Sequence, residues 1–189
     1  TPLATLPGMR ERTVTISSYS KTFAVTGWRI GTVVAPPRLT DAIRKVHDFL
    51  TVGAPAPLQE ACAVALDSLG DDYYADLARA YRERRDFFLP ALRTAGFRCA
   101  TPAGAYYVLA DFSALSAADD VSFARALARG TGPGTGVAVV PGSSFFHDPA
   151  DGRKLVRFSF CKRMETLEEA ARRLEALAPV LGRDGETAR

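Results

Sequence analysis

The chain has 189 residues, 47% of them hydrophobic and 24% charged, which is the composition of an ordinary globular protein. A formal net charge of +3 is too small and too dispersed to predict a nucleic-acid-binding surface, no apolar run reaches membrane-spanning length, and the N-terminus lacks a basic segment followed by an apolar core. From these features we expect a cytoplasmic protein with no nucleic-acid or membrane partner. The three cysteines lack metal-ligand or redox spacing, so no metal site is expected.

The first half of the chain is predicted to form two short strands followed by helices. β-Branched residues favour the strands, and paired prolines close the second one. Apolar residues then recur at helical spacing, and Thr40 and Asp41 are suited to cap the first helix. In the last of these helices, Pro90 is expected to cause a bend or to lie near the end. The expected strands are 13–17 and 32–35, and the expected helices begin near residue 39 and span about 57–69 and 71–94.

The second half of the chain predicts a small sheet covered by helices. Apolar and polar residues alternate in several short segments, which is the period of a half-buried strand. Leucines at helical spacing predict a closing helix, with Leu167, Leu174, Leu177 and Leu181 as its apolar stripe, and the polar tail 182–189 is expected to fray. The expected strands are 97–100, 105–112, 137–140 and 155–161, and the expected helices are 121–129 and 166–181.

The segment 17–31 is the most informative about chemistry. It places Lys21 among hydroxyl side chains, with Arg29 eight residues later. A lysine amine can form a covalent bond with an aldehyde, which makes Lys21 a candidate nucleophile. A phosphate requires a planar donor fork and hydroxyl groups, which Arg29, Ser18 and Ser20 supply. The segment therefore favours a site for an aldehyde cofactor that carries a phosphate, although a short Ser-x-Ser-Lys run alone is more often a solvated loop.

The strand expected at 155–161 carries a second motif. Val156, Phe158 and Phe160 alternate with polar residues, so Arg157 lies on the opposite face of the strand. An arginine fixed on a rigid strand suits bidentate binding of a carboxylate. The alternative is an ordinary strand arginine exposed to water, and the lysine motif upstream favours the binding role.

Both motifs resemble those of the aspartate aminotransferase superfamily, the fold type I pyridoxal phosphate (PLP) enzymes, and within it the class I/II branch of kynurenine and methionine aminotransferases. The resemblance implies an α/β fold and pyridoxal 5'-phosphate as cofactor, with Lys21 as the catalytic residue that bonds it covalently. The cofactor's phosphate is then bound by Arg29 with Ser18 and Ser20. On the later strand, Arg157 is implied to grip the α-carboxylate of the amino-acid substrate.

Two shorter segments resemble further parts of that family. The run 104–107 resembles the segment that brings an aromatic ring near the substrate carboxylate, so Tyr106 is a candidate, although a strand aromatic is more often core. The run 49–53 resembles a segment that reaches the neighbouring subunit's site, which implies that Val52 and Gly53 lie near the substrate. A homodimer is implied by the same analogy.

The resemblance covers nearly all of this chain but only the C-terminal half of such an enzyme. In the family, the groups that hold the cofactor ring precede the lysine, and the first twenty residues here contain neither Asp nor Asn. We expect residues 1–36 to end a large cofactor-binding domain. Residues 37–189 are expected to form linking helices and the C-terminal small domain, with helices on a small mixed or antiparallel sheet.

The resemblance implies PLP-dependent transamination, from an L-amino acid with an aromatic, kynurenine-like or methionine-like side chain to a 2-keto acid. The 189-residue chain alone is expected to be inactive. Two alternatives remain open. One is a C–S β-lyase on the same fold, with the same Lys21 and Arg157, and the other is the effector-binding domain of a transcription regulator, which should carry a DNA-binding segment upstream.

Overall fold

A computed structural model describes residues 1–132 and 134–181 of the chain. The chain divides into two units, Thr1–Leu77 and a second unit that begins at Ala78. The domain boundary expected after residue 36 stays a prediction, and the tail 182–189 lies outside the described residues. Within the described ranges, no helix combines the length and the apolar content that crossing a membrane requires.

The first unit contains a two-stranded antiparallel ribbon. Its strands, β1 (Thr15–Ser18) and β2 (Gly31–Val34), lie close to the two expected strands. Gly31 is required by the close approach of the strands, since a Cβ atom there would lie 2.5 Å from the carbonyl oxygen of Ser17. A helix of one turn, α1 (Tyr19–Thr22), leaves β1 directly. The ribbon therefore fixes both ends of the segment that carries the lysine motif.

Three helices follow the ribbon: α2 (Pro37–Thr51), α3 (Ala56–Ser68) and α4 (Asp71–Thr94). The predicted cap of α2 at Thr40 and Asp41 is wrong, because the helix begins earlier, at Pro37, whose fixed φ suits the first helical position. The Thr40 hydroxyl instead donates to the carbonyl oxygen of Ala35 at 3.0 Å. Pro90 lies inside α4, in its last turns.

Few apolar side chains of the first unit are buried. Among its described residues, the buried apolar side chains are those of Ile30 and Cys62, at 5% and 3% exposure. By contrast, Ile16 and Val34 of the ribbon remain 77% and 67% exposed, and Phe49 of α2 remains 94% exposed. The first unit therefore has no hydrophobic core of its own.

The second unit is built on an antiparallel sheet with the strand order β3–β5–β4. The strands are β3 (Tyr107–Asp111), β4 (Val140–Pro141) and β5 (Leu155–Ser159), and the helices that follow α4 are α5 (Asp120–Arg129) and α6 (Met164–Leu181). Along β5, Val156 and Phe158 are buried whereas Arg157 and Ser159 are partly exposed, so one face of the sheet packs into the core. The core includes Phe88, Leu92, Phe123, Leu127, Leu167 and Leu174.

Of the four strands expected here, 105–112 and 155–161 are observed in shortened form as β3 and β5, and the other two lose most of their length. The strand expected at 97–100 is reduced to one bridge at Arg98, because the N–H of Phe97 donates to a carbonyl of α4 in the turn that ends this helix. The strand expected at 137–140 contracts to β4, because the N–H of Val137 donates to the end of α5. In both places a helix end takes the hydrogen bond that a strand would have used.

Limited proteolysis is expected to remove the first unit before the second. The buried core lies in the second unit, and locally unstable segments are cleaved first. Mass spectrometry after brief digestion should find a resistant fragment that begins near Ala78, while the heat-denatured chain should be cleaved throughout. A resistant fragment that retains Lys21 would contradict this expectation.

Lys154 ties the segment before α5 to the start of β5. Its Nζ donates to the carbonyl oxygens of Ala117 and Ala118, both at 2.7 Å. Lys154→Met keeps the aliphatic stem but leaves these carbonyls without their donor, so we expect the free energy of unfolding to fall by about 2–3 kcal/mol. Thermal unfolding followed by circular dichroism measures the change, with Lys162→Met as the exposed control. Equal melting temperatures for the two variants would refute the role of Lys154.

Candidate functional site

Three predicted site residues lie where β1 passes into α1. Ser18 caps α1, since its Oγ accepts a hydrogen bond from the N–H of Ser20 at 3.2 Å. The Ser18 hydroxyl also donates to the Ser20 Oγ at 2.8 Å. Ser20 is 7% exposed, whereas Ser18 and Lys21 are exposed. The turn therefore places two paired hydroxyl groups directly before an accessible amine.

Thr26 joins the two cations of this loop. Lys21 Nζ donates to the Thr26 Oγ1 at 3.0 Å, and the Thr26 hydroxyl donates in turn to the carbonyl oxygen of Ser20, also at 3.0 Å. Arg29 Nη1 donates to the carbonyl oxygen of Thr26 at 3.1 Å. The amine and the guanidinium thus contact the same residue. Thr26 was not predicted from the sequence, although a hydroxyl side chain between the lysine and the arginine was an available signal.

The backbone at Arg29 closes the loop. Arg29 has φ of 57° and ψ of 39°, the left-handed region, which costs a non-glycine residue roughly 1–3 kcal/mol. The next residue, Ile30, is buried, and its carbonyl oxygen accepts from the N–H of Tyr19 at 3.2 Å. This hydrogen bond returns the chain to the start of α1. Arg29 and Lys21 therefore belong to one closed loop.

The donor set of the loop fits a cofactor that carries an aldehyde and a phosphate. An aldehyde requires an accessible amine, which Lys21 supplies. A phosphate requires a guanidinium fork and hydroxyl donors, which Arg29, Ser18 and Ser20 supply on the same loop. The described ranges contain no group of three His, Cys, Asp or Glu side chains that could hold a metal ion.

In the second unit, Arg157 lies on the central strand β5 and contacts two aromatic rings. Its guanidinium carbon is 5.1 Å from the centroid of the Tyr107 ring and 4.5 Å from that of Phe145, which are favourable cation–π contacts. Its Nε is buried and has no hydrogen-bond partner within the described part of the chain. A guanidinium packed against rings presents its N–H donors in its own plane, which suits a planar acceptor such as a carboxylate.

The tyrosine that contacts Arg157 is Tyr107. Strand alternation and the pairing of Leu109 with Arg157 bring Tyr107 to the same face of the sheet. Tyr106 instead packs partly buried against the core, and its carbonyl oxygen accepts from the N–H of Phe160 at 2.9 Å. The role expected for Tyr106 near the substrate stays a prediction. Tyr107 and Phe145 were not predicted from the sequence. For Tyr107 a signal was available, because it lies on a predicted strand, whereas Phe145 had none.

Val52 and Gly53 follow the end of α2 in the first unit. Val52 has φ of 63°, which is unusual for a β-branched side chain, and is 86% exposed. The structure thus places Val52, Gly53 and the lysine loop in the first unit, and Arg157 and Tyr106 in the second. Within each unit it shows the contacts given above, and the roles of these residues are proposals.

Comparison with solved structures defines the class of fold. The N-succinyldiaminopimelate aminotransferase of Mycobacterium tuberculosis matches with a TM-score of 0.83 and 41% sequence identity, over 93% of this chain and 44% of that chain. The similar solved structures are fold type I aminotransferases, which confirms the α/β fold expected from the sequence.

Sequence comparison then defines the family. A profile described as aminotransferase class I and II matches residues 3–174. The methionine aminotransferase of Escherichia coli is 40% identical over 171 residues, covering 90% of this chain and 43% of the relative. The kynurenine–oxoglutarate transaminase of Dictyostelium discoideum is 36% identical over 187 residues, covering 88% of this chain and 42% of the relative. The chain belongs to the class I and II aminotransferases, a family of PLP-dependent enzymes, and spans less than half the length of these relatives.

Proposed function

We propose that this chain is the C-terminal half of a PLP-dependent aminotransferase, which moves an amino group from an L-amino acid to a 2-keto acid. The observation that carries the proposal is the closed loop in which Thr26 contacts both the Lys21 amine and the Arg29 guanidinium. Membership of the family and the arginine on β5 support it. The large cofactor domain is proposed to end near residue 36, with the small domain after it.

Each residue of the loop has a role in this proposal. When bound, the cofactor supplies an electron sink for cleavage of the substrate's Cα–H bond. Lys21 holds the cofactor covalently and then carries the proton at its Nζ, as base and as acid. Because the Thr26 hydroxyl gives its proton to the Ser20 carbonyl, its lone pair faces Nζ and orients the amine. Arg29, with the hydroxyls of Ser18 and Ser20, binds the phosphate.

The substrate is bound through its α-carboxylate by the in-plane N–H donors of Arg157. The rings of Tyr107 and Phe145 against this arginine favour substrates with aromatic or apolar side chains. We therefore propose an aromatic, kynurenine-like or methionine-like amino acid, in agreement with the names of the Escherichia coli and Dictyostelium relatives. Further residues proposed to lie near the substrate are Tyr106, Val52 and Gly53.

The two alternative functions are not favoured. The relatives are named as aminotransferases, so neither a C–S β-lyase nor an effector-binding domain has comparable support. A cytoplasmic location and a role in amino-acid biosynthesis complete the proposal.

A homodimer is also proposed, because the end of α2 exposes Phe49 and Leu50 at 94% and 75%. In sedimentation velocity, Phe49→Ser should shift the enzyme, completed by an N-terminal half, toward monomer. Val64→Ser, on α3, should not. A monomeric parent enzyme would refute the dimer.

The test of the main proposal compares the 189-residue chain with the same chain co-expressed with the N-terminal half of the Mycobacterium tuberculosis relative, called here the paired enzyme. The chain alone should not transfer amino groups from methionine or kynurenine to 2-oxoglutarate, and the paired enzyme should. Turnover by the chain alone, or none by paired halves that co-purify, would count against the proposal. Release of pyruvate and ammonia from a cysteine conjugate without a keto acid would identify the β-lyase.

A further inference from the structure

A series of aromatic rings lies against the turn that carries Lys21. Tyr19 and Phe23, on either side of Lys21 in the chain, stack with their centroids 5.5 Å apart. Phe23 in turn meets Tyr73, in the first turn of α4, at 6.2 Å. Tyr73 meets Tyr74 edge-on at 5.4 Å. The series therefore connects the lysine turn to the start of α4, within the first unit.

Tyr73 also binds the backbone of this turn. Its hydroxyl donates to the carbonyl oxygen of Thr22, the last residue of α1, at 2.6 Å and across 51 positions of the sequence. Ala24 has φ of 55°, so the chain leaves the helical path and α1 does not continue to supply a donor for this carbonyl. The tyrosine hydroxyl therefore caps the C-terminal end of α1.

A helix of one turn needs such support. Forming an isolated turn is unfavourable, because several residues are fixed in exchange for few hydrogen bonds. In α1 and its exit, the N–H of Phe23 donates to the carbonyl of Tyr19 at 3.1 Å, and that of Ala24 to the carbonyl of Lys21 at 3.4 Å. Lys21 lies within this turn, and its Nζ contacts Thr26, which lies beyond the turn, so opening of the turn should move the amine away from Thr26.

We propose that Tyr73 is a positioning residue for Lys21, acting through the Thr22 carbonyl and the Phe23 ring. The inference rests on the proposed role of Lys21 and extends it to a residue in another helix. Tyr73 contacts no reacting atom. It keeps α1 closed, so that the amine stays on Thr26, and loss of its hydroxyl should weaken this closure about two- to tenfold, the factor that corresponds to one hydrogen bond.

The first measurement is amide hydrogen exchange in the 189-residue chain. Tyr73→Phe keeps the ring against Phe23 and removes only the hydroxyl, and Tyr74→Phe makes the same change in the neighbouring ring. The amide of Phe23 should exchange about two- to tenfold faster in Tyr73→Phe and at the parent rate in the control. An unchanged rate in Tyr73→Phe would overturn the inference.

The second measurement separates positioning of Lys21 from general stability. Acylation of Lys21 by acetic anhydride, relative to that of Lys45 in α2, should rise about two- to tenfold in Tyr73→Phe, because the amine is released from Thr26. In a Thr26→Val background the same substitution should have no further effect, since that contact is already absent. Additive effects would mean that Tyr73 does not act through the position of Lys21.

Labelling of Lys21 with pyridoxal phosphate and borohydride is measured separately in the paired enzyme, which contains both halves. Failure to label Lys21 there would count against the proposed function. The exchange and acylation rates need no cofactor, so they decide the role of Tyr73 in either case.

Discussion

Replacement of Lys21 by alanine is expected to abolish transamination by the paired enzyme. Proton transfer by a positioned base contributes roughly 10²–10⁴-fold to a rate, and the covalent attachment of the cofactor is lost as well, so we expect turnover to fall by at least about 10⁴-fold. In the paired enzyme, labelling with pyridoxal phosphate and borohydride should disappear from the peptide that contains residue 21. Mass spectrometry of the digested chain measures the label, and a coupled assay measures the turnover.

Two further variants show whether the loss belongs to the amine of Lys21. Lys21→Arg retains the positive charge but has no amine that can bond an aldehyde, so it should be as inactive as Lys21→Ala. Lys45→Ala removes an exposed lysine of α2 and should leave turnover unchanged. Turnover by Lys21→Ala within tenfold of the parent would show that another residue is the base.

Arg157→Lys is expected to reduce kcat/KM of the paired enzyme for its amino-acid substrate by about 10²–10³-fold, mainly through KM. Removing one partner of a buried charge pair costs roughly 2–5 kcal/mol, and a lysine offers a point charge in place of a planar fork. The substitution leaves the rings of Tyr107 and Phe145 unchanged, but it removes the in-plane N–H donors of the guanidinium that packs against them. Steady-state kinetics with the amino acid varied at saturating keto acid measure the effect.

Arg163→Ala is the matched control for this arginine. Arg163 follows β5 and is exposed. In the described part of the chain, its hydrogen bonds are those that its backbone carbonyl accepts from the N–H groups of Thr166 and Leu167. Its removal should change kcat/KM by less than about twofold, because isolated surface charges contribute little. Equal effects of the two substitutions would show that the loss does not depend on the guanidinium of Arg157, and would refute binding there.

The helices were predicted from the sequence more accurately than the strands. The bounds expected for α4, 71–94, are those observed, because apolar residues at helical spacing over many turns define a helix clearly. The start of α2 was misplaced, since Pro37 initiates a helix without a hydroxyl cap. At 97–100 and 137–140 strands were predicted, but the backbone N–H groups of Phe97 and Val137 donate to carbonyls at helix ends and not to a neighbouring strand. Local patterns cannot show such competition between partners distant in sequence.

The candidate site was predictable where its residues are close in sequence. Lys21, Ser18, Ser20 and Arg29 fall within one short segment, and the structure holds them on one loop. The contacts of Arg157 were not predictable, because the register of β3 against β5 and the turn that carries Phe145 decide which rings reach it. Tyr73 was missed for the same reason, since its partner Thr22 lies 51 positions away.

The ribbon of β1 and β2 has consequences for the behaviour of the chain in solution. In the described part of the chain each strand pairs only with the other, and Ile16 and Val34 face the solvent. A two-stranded ribbon is marginally stable alone, and open apolar edges are templates on which other chains can pair. Self-association should therefore rise steeply with concentration. The yield of soluble protein will then depend on the protein concentration and on whether a partner covers the ribbon, more than on the packing of the second unit.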